Sequence, residues 1–152
     1  MKQIQLAATF DHELEHFDTG RLRFQVQSNV QPLAEIRSFA RARPGLQGTI
    51  QFTGSGAIEL APAPNGDERA RLTELQGDFM ARGLQLANQR IGDVHLTASS
   101  QGAVLRAHLD SSIANSALKG DGEWRMEGDY SGTANLAFSR LDLAGLRAWI
   151  SR

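Results

Sequence analysis

Arg21-Leu22-Arg23-Phe24-Gln25-Val26-Gln27 alternates polar and apolar side chains without a break, which is the period of a β-strand with one wet face and one dry face. The same rhythm precedes it, where Ile4, Leu6, Ala8 and Phe10 alternate with Gln3, Gln5, Ala7 and Thr9. It returns in Ile50 and Phe52, in Ile58 and Leu60, in Val94, Leu96 and Ala98, in Leu105, Ala107 and Leu109, in Trp124 and Met126, and in Ala134, Leu136 and Phe138. Between these runs lie turn-forming residues: Asp18-Thr19-Gly20, Gly54-Ser55-Gly56, residues 62–67, Gly77-Asp78, Gly92-Asp93, residues 99–102, Gly120-Asp121-Gly122 and Gly128-Asp129. A spacing of about 8 to 12 residues predicts an all-β fold of roughly ten to twelve antiparallel strands, as a sandwich, a barrel or a long curved sheet.

Two short segments carry a helical period instead. After Pro32, the residues Leu33, Ile36, Phe39 and Ala40 fall on one helical face, with Arg37 and Arg41 off it and Pro44-Gly45 as a stop. Near the end, Asp142 is placed to cap a helix with Leu143, Leu146, Trp149 and Ile150 on its apolar stripe. Two amphipathic helices, near 33–42 and 142–151, are therefore expected to cap the apolar interior. The stretches Leu33-Ala34-Glu35-Ile36-Arg37-Ser38-Phe39 and Leu143-Ala144-Gly145-Leu146-Arg147-Ala148-Trp149 also match in Leu, Ala and Arg. The match suggests one β-rich segment over residues 1–152, with a repeat-unit boundary near 32–45.

Composition narrows the function classes. The 152 residues carry 16 Lys plus Arg against 17 Asp plus Glu, so no strong global field draws a nucleic-acid backbone, and nucleic acid is not an expected partner. The absence of Cys removes thiol nucleophiles and thiolate metal sites. The start, Met1-Lys2-Gln3-Ile4-Gln5-Leu6, builds no apolar signal core, and no run approaches the roughly 18 apolar residues of a membrane span. An exported protein with this sequence would therefore have to be represented here by an excised, soluble piece.

The remaining motifs point to no catalytic centre or cofactor. Asp18-Thr19-Gly20 copies the tripeptide of an aspartic-protease carboxylate, but that chemistry needs two carboxylates sharing a proton and no second such tripeptide occurs. A turn is the simpler reading. His12 and His16 stand four apart, which in a strand separates them by about 13 Å, too far for one ion. His95 and His108 fall on the polar alternation. Gly54-Ser55-Gly56 lacks the third glycine and the helix of a phosphate cradle. Asp121, Glu123 and Asp129 crowd one region without the loop spacing of a calcium site. Arg37, Arg41 and Arg43 form a small basic patch beside an apolar helical face, suited either to lipid headgroups or to a plain wet surface.

The order of these signals resembles the AsmA-like family, and within it the TamB branch, the inner-membrane subunit of the translocation and assembly module. One carrying stretch runs from the helical segment at Leu33 through Arg43-Pro44-Gly45-Leu46-Gln47-Gly48-Thr49-Ile50-Gln51-Phe52-Thr53-Gly54-Ser55-Gly56. The other runs from Leu75-Gln76-Gly77-Asp78-Phe79 through Leu84-Gln85-Leu86, Ile91-Gly92-Asp93-Val94-His95-Leu96, Leu105-Arg106-Ala107-His108-Leu109 and Leu118-Lys119-Gly120-Asp121-Gly122-Glu123-Trp124 to Leu141-Asp142-Leu143-Ala144-Gly145-Leu146. Together they cover about two thirds of the chain, and the loop at 62–67 looks like a local insertion of no stated role.

The resemblance implies a β-taco, a sheet folded into an apolar groove, in a periplasmic protein anchored in the inner membrane. It implies phospholipid, neighbouring segments of the parent chain and outer-membrane assembly proteins as partners. Such a groove carries acyl chains without covalent chemistry, and Ile4, Leu6, Phe10, Phe24, Ile50, Phe52, Leu96, Leu109, Trp124, Met126 and Phe138 are the candidates to line it. A closed core is the competing reading of the same residues. A second reading of the whole chain is a structural scaffold that binds a partner strand by edge pairing.

Overall fold

A computed structural model describes residues 4–13, 16–62, 68–113 and 116–139. They form one antiparallel, curved sheet of nine strands: β1 (Ile4–Glu13), β2 (His16–Ser28), β3 (Gln31–Pro32), β4 (Leu46–Pro62), β5 (Glu68–Leu86), β6 (Gln89–Gln101), β7 (Val104–Ile113), β8 (Ser116–Arg125) and β9 (Gly132–Phe138). The spatial order β1-β2-β4-β5-β6-β7-β8-β9 follows the chain, so each strand returns beside its predecessor; β3 takes over beside β4 where β2 stops. Leu86 pairs with Gln89 across Ala87 and Asn88, both at positive φ, and this two-residue turn matches the right-handed twist of its strands.

The strands are fewer and longer than the turn spacing predicts, and the reason lies in the glycines. Asp18-Thr19-Gly20 is inside β2, Gly54-Ser55-Gly56 inside β4, Gly77-Asp78 inside β5, Gly92-Asp93 inside β6 and Gly120-Asp121-Gly122 inside β8. These glycines make room instead of reversing the chain. A Cβ at Gly56 would lie 2.6 Å from the Phe24 ring opposite it; one at Gly122 would lie 2.1 Å from the Trp124 indole; one at Gly132 would lie 2.0 Å from the same indole. Phe10 covers Gly20 and Leu136 covers Gly120 in the same way. Large side chains lie down across the glycine of the same or neighbouring strand.

Where the alternation slips, a bulge restores it. Ala57 opposes Glu74 but Ile58 opposes Leu72, leaving Thr73 as the extra residue, and its hydroxyl donates to the Ala57 carbonyl at 3.2 Å. Leu72 and Leu75 therefore share a face although they stand three apart.

The two predicted amphipathic helices are not supported. The segment after Pro32 is a 3-10 turn, Leu33–Glu35, and a single six-residue helical turn, α1 (Arg37–Ala42), separated by Ile36 in extended backbone at φ −91° and ψ 110°. Only Leu33 of this segment is buried, because the break at Ile36 turns Phe39 and Ala40 off the face that Leu33 shares with the sheet. The helix expected at 142–151, the second repeat copy and all but the first residue of the 62–67 loop lie outside the described residues. Among the described residues no helix is long and apolar enough to cross a membrane.

The glycine account has a direct test. Gly122→Ala should lower stability by about 1–3 kcal/mol in denaturant titration, because the indole above it must move. In a Trp124→Leu background the same substitution should cost almost nothing, since the three nearest atoms to that Cβ all belong to Trp124.

Candidate functional site

The registers align the apolar positions of successive strands into rows that cross the sheet on one face. One row runs Ile4, Ser28, Phe52, Phe79, Leu96, Leu109, Gly120, Leu136. The Ser28 to Phe52 step is made by the Ser28 hydroxyl, which accepts the Phe52 N–H at 3.0 Å. A second runs Ala8, Phe24, Gly56, Leu75, Ser100, Leu105, Trp124, Gly132; its Leu75 to Ser100 step is a 2.7 Å bond from the Leu75 N–H to the Ser100 hydroxyl. Between them lies a row of small residues: Val26, Gly54, Gly77, Ala98, Ala107, Gly122, Ala134.

Bulky rows on either side of a small row make a shallow trough across the strands. It spans roughly 24 Å from Val26 to Gly122 at the ordinary strand spacing of about 4.8 Å. Phe52, Phe79, Leu96 and Leu109 form one wall, and Phe24, Leu75 and Leu105 the other. The Trp124 indole, lying over Gly122, closes the β8 end.

The sequence-derived candidates converge here. Ile4, Leu6, Phe10, Phe24, Ile50, Phe52, Leu96, Leu109, Trp124 and Phe138 stand on this face by alternation and register. Met126 lies just past β8, buried, with its N–H bonded to the Ala103 carbonyl at 2.8 Å. Ile50 is likewise buried, in a cluster with Leu33 and Ala81 against which Ile36, Leu46, Phe79, Leu84 and Val94 pack. Away from that cluster the face stands open: Leu6 is 72% exposed, Leu136 60% and Phe138 53%. The trough floor is what reading the sequence missed. Its signal was present, since Gly54, Ala98, Ala107 and Gly122 keep the parity of their apolar neighbours.

The opposite face is polar and cross-linked. Arg23 pairs with Asp11 at 2.9 Å, Arg106 with Glu123 at 3.0 Å, and Arg21 with Glu74; Arg71 bridges Glu59 at 3.4 Å and Glu127 at 2.6 Å. His95 bonds Asp78 at 2.9 Å and His108 bonds Asp121 at 2.7 Å. A cleft of about 860 Å³ opens on this side. Its face follows from β9, which lines it with Thr133 and Asn135 but not with the intervening Ala134.

This polar face occupies the residues weighed for calcium. Asp121 is hydrogen-bonded to His108 and Glu123 is ion-paired to Arg106, and the Asp129 carboxylate accepts the Ser131 N–H at 3.2 Å in the β8–β9 connection. No group of three metal-ligating side chains occurs among the described residues. Asp18 lies within β2, and His12 bonds the Glu13 carbonyl at 2.9 Å.

No family model matches the chain, and comparison with curated proteins and with solved structures returns no match.

The Ser131 backbone N–H, and then its hydroxyl, hold the Asp129 carboxyl below its ordinary value. In an NMR titration Asp129 should therefore change charge below the usual Asp midpoint of about 3.9. A depressed folded-state value means that its support of the turn is full above the unfolded-state value and fades as pH falls through the folded one. Ser131→Ala, which removes the hydroxyl and leaves the backbone donor, should raise that midpoint part of the way.

Proposed function

We propose that the chain is a segment of a periplasmic lipid-transfer protein of the AsmA-like type. Its apolar face carries phospholipid acyl chains while the headgroups stay in water. The observation that carries this reading is the trough: a floor of glycine and alanine between walls of Phe and Leu, on a face that the described chain covers only around Leu33. Acyl chains need apolar contact and no hydrogen-bond register, so a continuous low-relief surface suits them better than a deep pocket with placed polar groups. Covering a Leu or Phe side chain that now faces water is worth about 1.5–3 kcal/mol. Leu6, Leu136 and Phe138 together therefore offer a ligand several kcal/mol.

In this reading neighbouring segments of the parent chain continue the apolar surface across the strands. Transfer is passive, by sliding along the apolar surface, and involves no cofactor. The resemblance in the order of helix-like segment, strands and glycines supports the same assignment.

A second reading rests on the sheet edges. All seven residues of β9 are exposed, and β1 and β9 stand at the two ends of the strand order. A partner strand, such as one from an outer-membrane assembly protein, would extend the sheet there by edge pairing.

Native mass spectrometry of the purified chain, followed by solvent extraction, distinguishes the two. Bound phospholipid is expected. Ala98→Leu fills the trough without burying charge, so it should leave the circular dichroism spectrum intact and lower lipid occupancy several-fold. Phe52→Asp should lower it further. A folded, lipid-free monomer would instead favour edge pairing.

A further inference from the structure

Charge is distributed unevenly along the strands. Through the middle of the sheet and at the end near β1's Asp11 and β5's Arg71, cations are paired: Arg21 with Glu74, Arg23 with Asp11, Arg71 with Glu59 and Glu127, Arg106 with Glu123, Lys119 with Asp110. Among the described side chains Arg125 is the exception there, and it stands between Glu123 and Glu127. At the opposite end, Arg37, Arg41, Arg43, Arg82 and Arg90 are exposed, and none makes an ion pair or side-chain hydrogen bond among the described residues.

The fold gathers these five at the start of β4. Thr49 has Pro32, which leads into the Arg37–Ala42 turn, on one side and Arg82 on the other. The Arg43 carbonyl accepts the N–H of Leu46, the first residue of β4. Gln85, which pairs with Gln47, pairs on its other side with Arg90. The described acids nearby are Glu35 and Asp93, and the Asp93 carboxylate already accepts the Gly83 N–H at 2.6 Å. Two apolar side chains stand out beside the arginines, Val30 at 55% exposed and Phe39 at 40%.

We propose that this end of the sheet docks on an anionic phospholipid surface. Unpaired arginines at one end, with exposed Phe and Val among them, complement a surface of phosphate groups over an apolar layer. Arginine holds phosphate oxygens through two parallel N–H bonds, a geometry lysine lacks, and all five cations are arginine. The docking site is independent of the trough: it would bind headgroups in the plane of a membrane whether or not the apolar face carries acyl chains. Were both to operate, the strands would stand with the arginine end towards the lipid source or acceptor.

Vesicle co-sedimentation tests it, comparing phosphatidylcholine vesicles with vesicles that also contain phosphatidylglycerol. Binding to the mixed vesicles alone is expected, weakening steeply as salt shortens the Debye length from about 10 Å at 0.1 M. The triple variant R37Q/R41Q/R43Q removes exposed side chains that make no ion pair or side-chain hydrogen bond among the described residues and should weaken that binding on the order of a hundredfold. R125Q should leave it unchanged. If the triple variant fails to fold by circular dichroism, R82Q/R90Q replaces it, with a loss of roughly tenfold or more expected. Equal binding to both vesicle types, no binding to either, or unaltered binding by the folded variant overturns the proposal. Abolition by millimolar inorganic phosphate at constant ionic strength also overturns it, in favour of a site for free phosphate. Phe52→Asp leaves the arginines in place, so loss of trough occupancy with retained vesicle binding separates the two readings.

Discussion

A single-layer sheet has two faces and cannot bury both, and the rest of this structure follows from that constraint. Only Leu33, Ile50, Ala57, Ala81 and Met126 are buried apolar residues among those described, far short of the continuous core that a two-layer domain builds. Cohesion therefore comes from the ladder of backbone hydrogen bonds and from side chains meeting across strands. On the wet face these meetings are ion pairs, each worth little alone because both partners stay hydrated. On the dry face they are rings and branched chains laid over glycine, which shield the backbone and bury apolar area within the sheet's own thickness. The glycines are the structural counterpart of the missing second layer.

The face assignment was legible in the sequence because alternation is a direct consequence of strand geometry. Phe24, Phe52, Leu96 and Leu109, scattered over 86 positions of the chain, come to one surface by parity alone. The glycines misled because the signal they emit is ambiguous: a residue without a Cβ suits a turn, and it equally suits a position beneath an indole. What distinguishes the two is at its plainest a long-range fact, that Phe24 opposes Gly56 and lies over it from 32 positions away, and no local window contains it. The segment after Pro32 misled for a related reason. Its spacing of apolar residues fits a helix, yet Ile36 adopts extended backbone so that Leu33 reaches the Ile50–Ala81 cluster, and tertiary contact prevails over a helix too short to hold itself.

Length and openness are linked. β4 has 17 residues and β5 has 19, which makes β5 roughly 60 Å long at about 3.3 Å per residue. Their mutual pairing runs nearly end to end, whereas β1, β7, β8 and β9 are shorter and flank this spine. A sheet with so long a spine gains ladder bonds in proportion to length without gaining anything to cover its dry face. Closing on itself would cover that face, and so would a ligand that tolerates any register. The described strands do not close, since β1 and β9 share no ladder.

That difference between closing and receiving decides what the small row means. In a closed core, a line of Gly54, Gly77, Ala98, Ala107 and Gly122 facing a second layer would demand bulky partners to fill it, because a void forfeits contacts on one side. Leu33 and Ile36, the described residues that pack over the sheet, sit at the Ile50 end and not above this row. On an open face the same line leaves no void, because it is simply low ground, and its walls keep whatever lies there from sliding along the strands. The low ground runs across the strands, in the direction in which further strands would extend the sheet. A row of small residues that crosses β4 through β8 is therefore aligned with the direction in which strands add to the sheet, and under the lipid-carrying proposal an acyl chain would lie along that direction.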